Sequence, residues 1–243
     1  MHTVFANGAR IPAIGFGTYG MARPELLRMI PAALKAGFRH IDTAQIYRNE
    51  DVVGQGIAAS GIPRSEVFVT TKVWVANYPE SRFAASVDES LAKLRSDYID
   101  LLLLHWPHES VPLAEQVGLL NETVRAGKVR HIGVSNFNRR LLDQAIDLSA
   151  IPLVTNQFEY HPYLNQSLLI DATRKAGLAV TAYCAMALGR VLRDPTVAEI
   201  ADTHGRTVPQ VVLRWLIQQD DVVALSRTSN PDRLGENLSV FDF

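Results

Sequence analysis

The sequence predicts one α/β domain over residues 1–243: a (β/α)8 TIM barrel preceded by an N-terminal β-hairpin, with no Rossmann domain. Three observations lead there. Short, often continuously apolar runs alternate with amphipathic segments along the chain, as buried parallel strands alternate with covering helices. Eight such runs fit within 243 residues, a length that suits a closed barrel. Asp42, Lys72, His105, Ser135 with Asn136, Gln157, Tyr183 and Arg227 sit at or just past the C-terminal ends of successive runs. In a barrel such positions meet around one axis; in an open sheet they would be strung along a line.

The elements follow in order. Ala6-Asn7-Gly8-Ala9 carries the Asn-Gly signal of a tight turn, so residues 3–12 are expected to form the hairpin. The first barrel strand is expected over about residues 11–16. It runs into GFGTYG, residues 15–20, a literal G-x-G-x-x-G, with Asp42 about twenty residues on, close to the dinucleotide-binding fingerprint. A Rossmann turn, however, needs its helix to start inside the glycine motif, so that a pyrophosphate rests on the helix N-terminus. Here Pro24 marks the helix start, four residues beyond Gly20. The glycines are therefore read as letting the strand and its loop pass close to a bound ligand. The helix from Pro24 is expected to stop at Gly37 and to kink at Pro31. Further strands are expected near 38–42, 67–72, 98–105, 129–134, 153–157, 179–184 and 222–226. Amphipathic stretches such as ESRFAASVDESLAKLRS and TVPQVVLRWLIQQ supply helices between them.

Composition narrows the function. The chain is 47% hydrophobic and 20% charged with net charge -1, and its basic residues never form a run. Neither nucleic acid nor a membrane is expected as a partner. One cysteine, Cys184, leaves no intrachain disulfide and suits a reducing cytoplasm. The first ten residues lack the basic and apolar regions of a signal peptide, and no apolar run is long enough for a membrane span. A cytoplasmic monomer acting on a small molecule is the expectation.

The chemistry concentrates in DTAQIYRNE, TTKVW and LLLLHWP. Lys72 ends an apolar run, where lysine is rare unless paired, and it is one of only five lysines beside nineteen arginines. Asp42 offers it a carboxylate. Tyr47 offers a phenol, and a cation beside a phenol favours the phenolate and makes a better proton donor. His105 can hydrogen-bond the same acceptor. Together the four would protonate a carbonyl oxygen while hydride reaches the carbon. Taken singly, each has a blander reading: Asp42 and Lys72 as a structural ion pair, Tyr47 as a packing residue, His105 as a hydrogen-bonded core residue. Their clustering at neighbouring strand ends favours chemistry. His40, His131 and His161 show no ligand spacing, so no metal is expected, and no G-x-S-x-G or Cys-His pairing suggests a hydrolase.

Over essentially its whole length the chain resembles the aldo-keto reductases. GFRHIDTAQIYRNEDVVG matches the family's N-terminal signature without a gap, and TTKVW, LLLLHWP, GVSNF, NQFEYHP and ENLSVFDF follow in family order. DTAQIY, SGIPRSEVFVTTKVW and SLAKLRSDYIDLLLLHWP are most similar to the short bacterial 2,5-diketo-D-gluconate reductases, which also reduce methylglyoxal. The resemblance implies a barrel that binds NADPH across its mouth and a catalytic tetrad of Asp42, Tyr47, Lys72 and His105, with Tyr47 as the general acid. It further implies that Ser135, Asn136 and Gln157 meet the nicotinamide carboxamide and that Tyr183 stacks on the ring. Arg227, Thr228, Ser229 and Arg233 would take the 2′-phosphate, Glu236 and Asn237 would lie near adenine, and Tyr19, Trp74 and Trp106 would wall the substrate pocket.

The sequence also departs from the family. Ser226-Arg227 replaces the usual proline and lysine of the phosphate segment, and Cys184-Ala185-Met186 replaces Ser-Pro-Leu after Tyr183. Relatives continue past the position of Phe243 into a helix and a loop that helps close the pocket. The expectation is either a tail outside the given sequence or a pocket unusually open above, suited to small dicarbonyls. Two other classes remain: a cofactor-binding regulatory module on the same fold, as in the potassium-channel β subunits, and a barrel aldolase or isomerase in which Lys72 forms a Schiff base.

Overall fold

The computed structural model describes residues 2–243. Strands β1 (Thr3–Ala6) and β2 (Ala9–Pro12) pair antiparallel. Asn7 and Gly8, at φ 43° and 89°, make the turn between them, the left-handed pair that a tight hairpin requires.

The chain then winds a barrel. In order it forms β3 (Ile14–Gly17), α1 (Arg23–Ala36), β4 (His40–Asp42), α2 (Glu50–Ala59), β5 (Phe68–Val73), α3 (Glu80–Leu94), β6 (Ile99–Leu104) and α4 (Leu113–Arg125). It continues through β7 (Val129–Ser135), α5 (Arg139–Leu148), β8 (Leu153–Glu159), α6 (Ser167–Lys175), β9 (Ala179–Tyr183), α7 (Pro195–His204), α8 (Val208–Ile217), β10 (Val222–Ser226) and α9 (Asp232–Leu238). Strands β3 to β10 close in the order β10-β3-β4-β5-β6-β7-β8-β9, every neighbouring pair parallel. This is the (β/α)8 barrel with its hairpin that the sequence predicts.

Most barrel strands are buried on both faces, which explains the unbroken apolar runs. Leu101, Leu102, Leu103 and Leu104 of β6 are all buried, each contributing about 1.5–3 kcal/mol of hydrophobic stabilisation. The helices bury one stripe: Phe83, Val87 and Leu94 of α3 face inward.

Two local expectations need correction. The single strand expected over 11–16 divides at Ala13 into β2 and β3, because the hairpin and the barrel are separate sheets. Helix α1 carries Pro31 in its interior and, as expected, ends on Gly37, at φ 117°. Gly15 of GFGTYG serves the barrel's packing. A Cβ on Gly15 would lie 2.7 Å from His40 Nδ1 and from Leu225 Cδ2, so close packing requires glycine there rather than a ligand's approach. Gly20 turns the loop at φ 72°, and α1 begins only at Arg23, so the Rossmann geometry is absent.

Candidate active site

The C-terminal ends of the strands gather the candidates. Asp42 ends β4, Lys72 is the penultimate residue of β5, His105 follows β6, Ser135 ends β7, Gln157 lies in β8 and Tyr183 ends β9. Tyr47 comes from the 3-10 turn Gln45–Tyr47 just beyond β4.

Lys72 is buried to 1% exposure. Its Nζ donates to Asp42 Oδ1 at 2.6 Å and to the Thr43 carbonyl at 2.8 Å. The other oxygen, Asp42 Oδ2, accepts from Gln157 Nε2 at 2.8 Å, which ties β8 to the pair across the barrel mouth. Lys72 Nζ lies 5.3 Å from the centre of the Tyr47 ring. Around Tyr47 stand Tyr19 at 5.0 Å and His105 at 5.7 Å between ring centres, and Trp74 stands 5.5 Å from His105. The tetrad and two of the three expected walls therefore share one aromatic-lined site. Trp106 is 44% exposed at its edge, and its backbone carbonyl accepts from Tyr78 Oη at 2.8 Å.

Electrostatics corrects one expectation. Burial, then the charge of Asp42, then Tyr19 push the Tyr47 phenol above its ordinary range; the downward pull expected from Lys72 does not prevail. Burial pushes the Lys72 ammonium down, while the charge and hydrogen bond of Asp42, and then Glu50, pull it back. Burial and then Lys72 push His105 down to about 3, so its imidazole is neutral around pH 7. Among the described residues the Tyr47 hydroxyl has no hydrogen-bond partner, and the buried His105 Nδ1 has none either.

The next strand ends are cross-linked. Ser135 Oγ donates to the Gln157 carbonyl at 2.9 Å. Asn136, held at φ 63°, donates from Nδ2 to the His105 carbonyl and to Ser135 Oγ, both at 3.0 Å, and accepts at Oδ1 from Tyr183 Oη at 2.6 Å. Asparagine enters that region more readily than most non-glycine residues, and these bonds fix it there.

Arg227, Thr228, Ser229 and Arg233 line the exposed segment from β10 to α9. Arg227 Nη1 donates to the Tyr19 carbonyl at 2.6 Å, linking that rim to the aromatic site. The Glu236 carboxylate accepts from Thr207 Oγ1 at 2.6 Å. Asn237 is buried and donates to Ser226 Oγ at 2.8 Å.

Sequence reading missed the layer behind the tetrad. Asn49 accepts from Thr43 Oγ1 at 2.7 Å and donates to the Thr18 carbonyl at 3.2 Å. Glu50 is buried and accepts from Thr71 Oγ1 at 2.6 Å. The signal was the density of polar residues in TAQIYRNE immediately after a buried strand. Among the described residues no cluster of three or more His, Cys, Asp or Glu side chains forms a metal site, and no helix is long and apolar enough to cross a membrane.

This closed parallel barrel, with a buried Asp–Lys pair beneath a tyrosine and a histidine, belongs to the aldo/keto reductase family, whose family model matches residues 13–243. The chain is thereby placed among oxidoreductases. It is 42% identical to an aldo-keto reductase of Mycobacterium sp. (strain MCS), covering 98% of this chain and 84% of that one. It is 40% identical to methylglyoxal reductase DkgB of Salmonella typhi, over 96% and 88% of the two chains. A crystal structure titled as a "putative 2,5-diketo-D-gluconic acid reductase B" superposes with a TM-score of 0.99 at 58% identity, covering all of this chain and 86% of the other.

Proposed function

We propose that the protein is an NADPH-dependent reductase of small aldehydes, ketones and dicarbonyls, of the methylglyoxal or 2,5-diketo-D-gluconate type, with Tyr47 as proton donor. The observation that carries this reading is the uncommitted Tyr47 hydroxyl, beside neutral His105 and above the buried Asp42–Lys72 pair. The relatives named for methylglyoxal and diketogluconate support the substrate class.

The residues at the mouth fit the cofactor. Asn136 and Gln157 are amides that both donate and accept, complementary to a carboxamide. The Tyr183 ring offers a stacking face. Arg227 and Arg233 are exposed guanidiniums on one short segment, suited to gripping a 2′-phosphate by charge-assisted hydrogen bonds. A nicotinamide cofactor held by these residues would supply hydride chemistry for the carbonyl carbon.

The chain's own groups handle the proton. Tyr47 stays protonated in the resting site because burial raises its pKa. It donates its O–H to the carbonyl oxygen as negative charge develops there. The phenolate left behind is stabilised by Lys72, 5.3 Å from the ring centre, and Asp42 holds that ammonium in place. Neutral His105 orients the carbonyl oxygen by hydrogen bonding.

Steady-state NADPH oxidation with methylglyoxal, 2,5-diketo-D-gluconate and simple aldehydes, run against NADH, tests the reading. Turnover with NADPH favoured over NADH is expected. Tight NADPH binding without turnover on any carbonyl would instead favour the binding module, and borohydride trapping of Lys72 with a sugar phosphate would favour the aldolase.

A further inference from the structure

Gln45 opens the turn that carries Tyr47, and its side chain points into the covering layer. Its Oε1 accepts from the Trp74 backbone N–H and from Asn77 Nδ2, both at 2.9 Å. Its Nε2 lies within donating reach of the Ser86 carbonyl at 3.1 Å and of Ser86 Oγ and Ser90 Oγ, each at 3.2 Å. One amide thus joins the proton donor's turn, the loop bearing the pocket wall Trp74, and helix α3. Ser90 extends the link, donating to Glu50 Oε2 at 3.3 Å, and Glu50 holds Thr71 beside Lys72.

We propose that Gln45 is a positioning residue that sets substrate width, by fixing Trp74 against His105 at a set distance from Tyr47. The proposal rests on the carbonyl-reductase reading and names what controls the size of its substrate. Trp74 leads into the 3-10 turn Val75–Asn77, and its backbone N–H finds its partner in Gln45 Oε1 rather than in a strand neighbour. Without that acceptor the wall loses a fixed anchor. The Tyr47 turn has anchors of its own, Tyr47 N–H to the Ala44 carbonyl at 3.0 Å and Arg48 N–H to the Gln45 carbonyl at 3.1 Å, both from the backbone. Loss of the Gln45 amide should therefore move the wall far more than the acid.

The test is steady-state kinetics of the full chain with NADPH on methylglyoxal and on the wider 4-nitrobenzaldehyde. Gln45→Met keeps length and removes both hydrogen-bonding ends. It should raise KM for 4-nitrobenzaldehyde about tenfold, while KM and kcat for methylglyoxal stay within about threefold. Gln45→Glu keeps an oxygen for Trp74 and should change the ratio of the two KM values less than about threefold. Adding Trp74→Ala to Gln45→Met should produce little further change in that ratio, because both act through one wall. Should the Met variant fail to fold, Gln45→Asn, which withdraws the amide by one methylene, is expected to give the same pattern. Equal KM changes on both aldehydes, or a Trp74→Ala effect that adds in full, would overturn the proposal and leave the reductase reading standing. Wild-type protein that oxidises NADPH with neither aldehyde would overturn both.

Discussion

The barrel carries a buried aspartate at each end, and the two are built differently. At the bottom, Asp100 near the start of β6 meets two arginines, Arg64 Nη2 at 2.8 Å and Arg130 Nη1 at 3.1 Å, and accepts from the Val69 N–H at 3.0 Å. The same arginines cover the Tyr98 ring at 4.4 and 3.6 Å. At the top, Asp42 meets one lysine, itself fully buried, and a glutamine. Tyr47 and His105 stand beside it with polar atoms uncommitted. The bottom cluster satisfies itself with solvent-reaching cations. The top one leaves Tyr47 Oη and His105 Nδ1 without partners among the described residues, a contrast that accords with the general division of a barrel into a functional and a stabilising face.

The sharpest way to break that comparison is Tyr47→Phe. It removes the O–H and keeps the ring, so kcat on methylglyoxal should fall by about 10²–10⁴. NADPH affinity, read by fluorescence titration, should hold. Because that hydroxyl has no hydrogen-bond partner among the described residues, Tm should not fall. A variant with near wild-type kcat would move the acid to another group, His105 first.

The reciprocal change at the bottom is Asp100→Asn. It leaves Arg64 and Arg130 without their carboxylate and should destabilise the fold by about 3 kcal/mol, the low end for a broken buried pair because Arg130 is half exposed. Urea denaturation reads the loss, and kcat should be unchanged. A large fall in kcat at full stability would erase the division between the two ends.

How far the sequence discloses these two ends follows from what each depends on. Strands, their order and the residues at their tips follow from apolar runs, because parallel strands are buried on both faces. The tetrad was legible because the four residues lie in or beside such tips. The bottom cluster was not, since Arg64, Asp100 and Arg130 look in sequence like ordinary surface charges near strand starts. Tyr47's electrostatics also escaped: a sequence reveals a neighbouring lysine but not the burial that outweighs it. Gln45 and Glu50 read as polar residues of a loop and a helix start. Only the packing of α2 and α3 against the barrel turns them inward.

A smaller effect should appear on acidification. Burial lowers His40 to about 4 and His105 to about 3, from an ordinary value near 6.5. The unfolded chain takes up these protons first, so stability is complete above about pH 6.5 and is lost as pH falls toward 4. Each histidine contributes a slope of up to roughly 1.4 kcal/mol per pH unit in that window. Urea midpoints at pH 7, 6 and 5 should decline, and His105→Gln should flatten the decline. An unchanged slope in that variant would mean that the top histidine takes no part in acid unfolding.

The smallest expected effect lies on the rim above the tetrad. Arg227 is exposed, and among the described residues its guanidinium is engaged only by the Tyr19 carbonyl, whereas Arg64 and Arg130 are fixed by a carboxylate and an aromatic face. A neutral carbonyl is a weak competitor against a doubly charged phosphate for a guanidinium. On the proposed reading Arg227 is a cation that a 2′-phosphate can recruit in exchange for a single hydrogen bond to the Tyr19 carbonyl. Arg227→Ala should raise the NADPH KM about tenfold and leave the NADH KM within about twofold, since only the phosphate contact is lost. Arg64→Ala, equally cationic but committed below, should leave the ratio of the two KM values where it was. Parallel changes with both cofactors in the Arg227 variant would assign this arginine to holding the Tyr19 loop rather than to the phosphate.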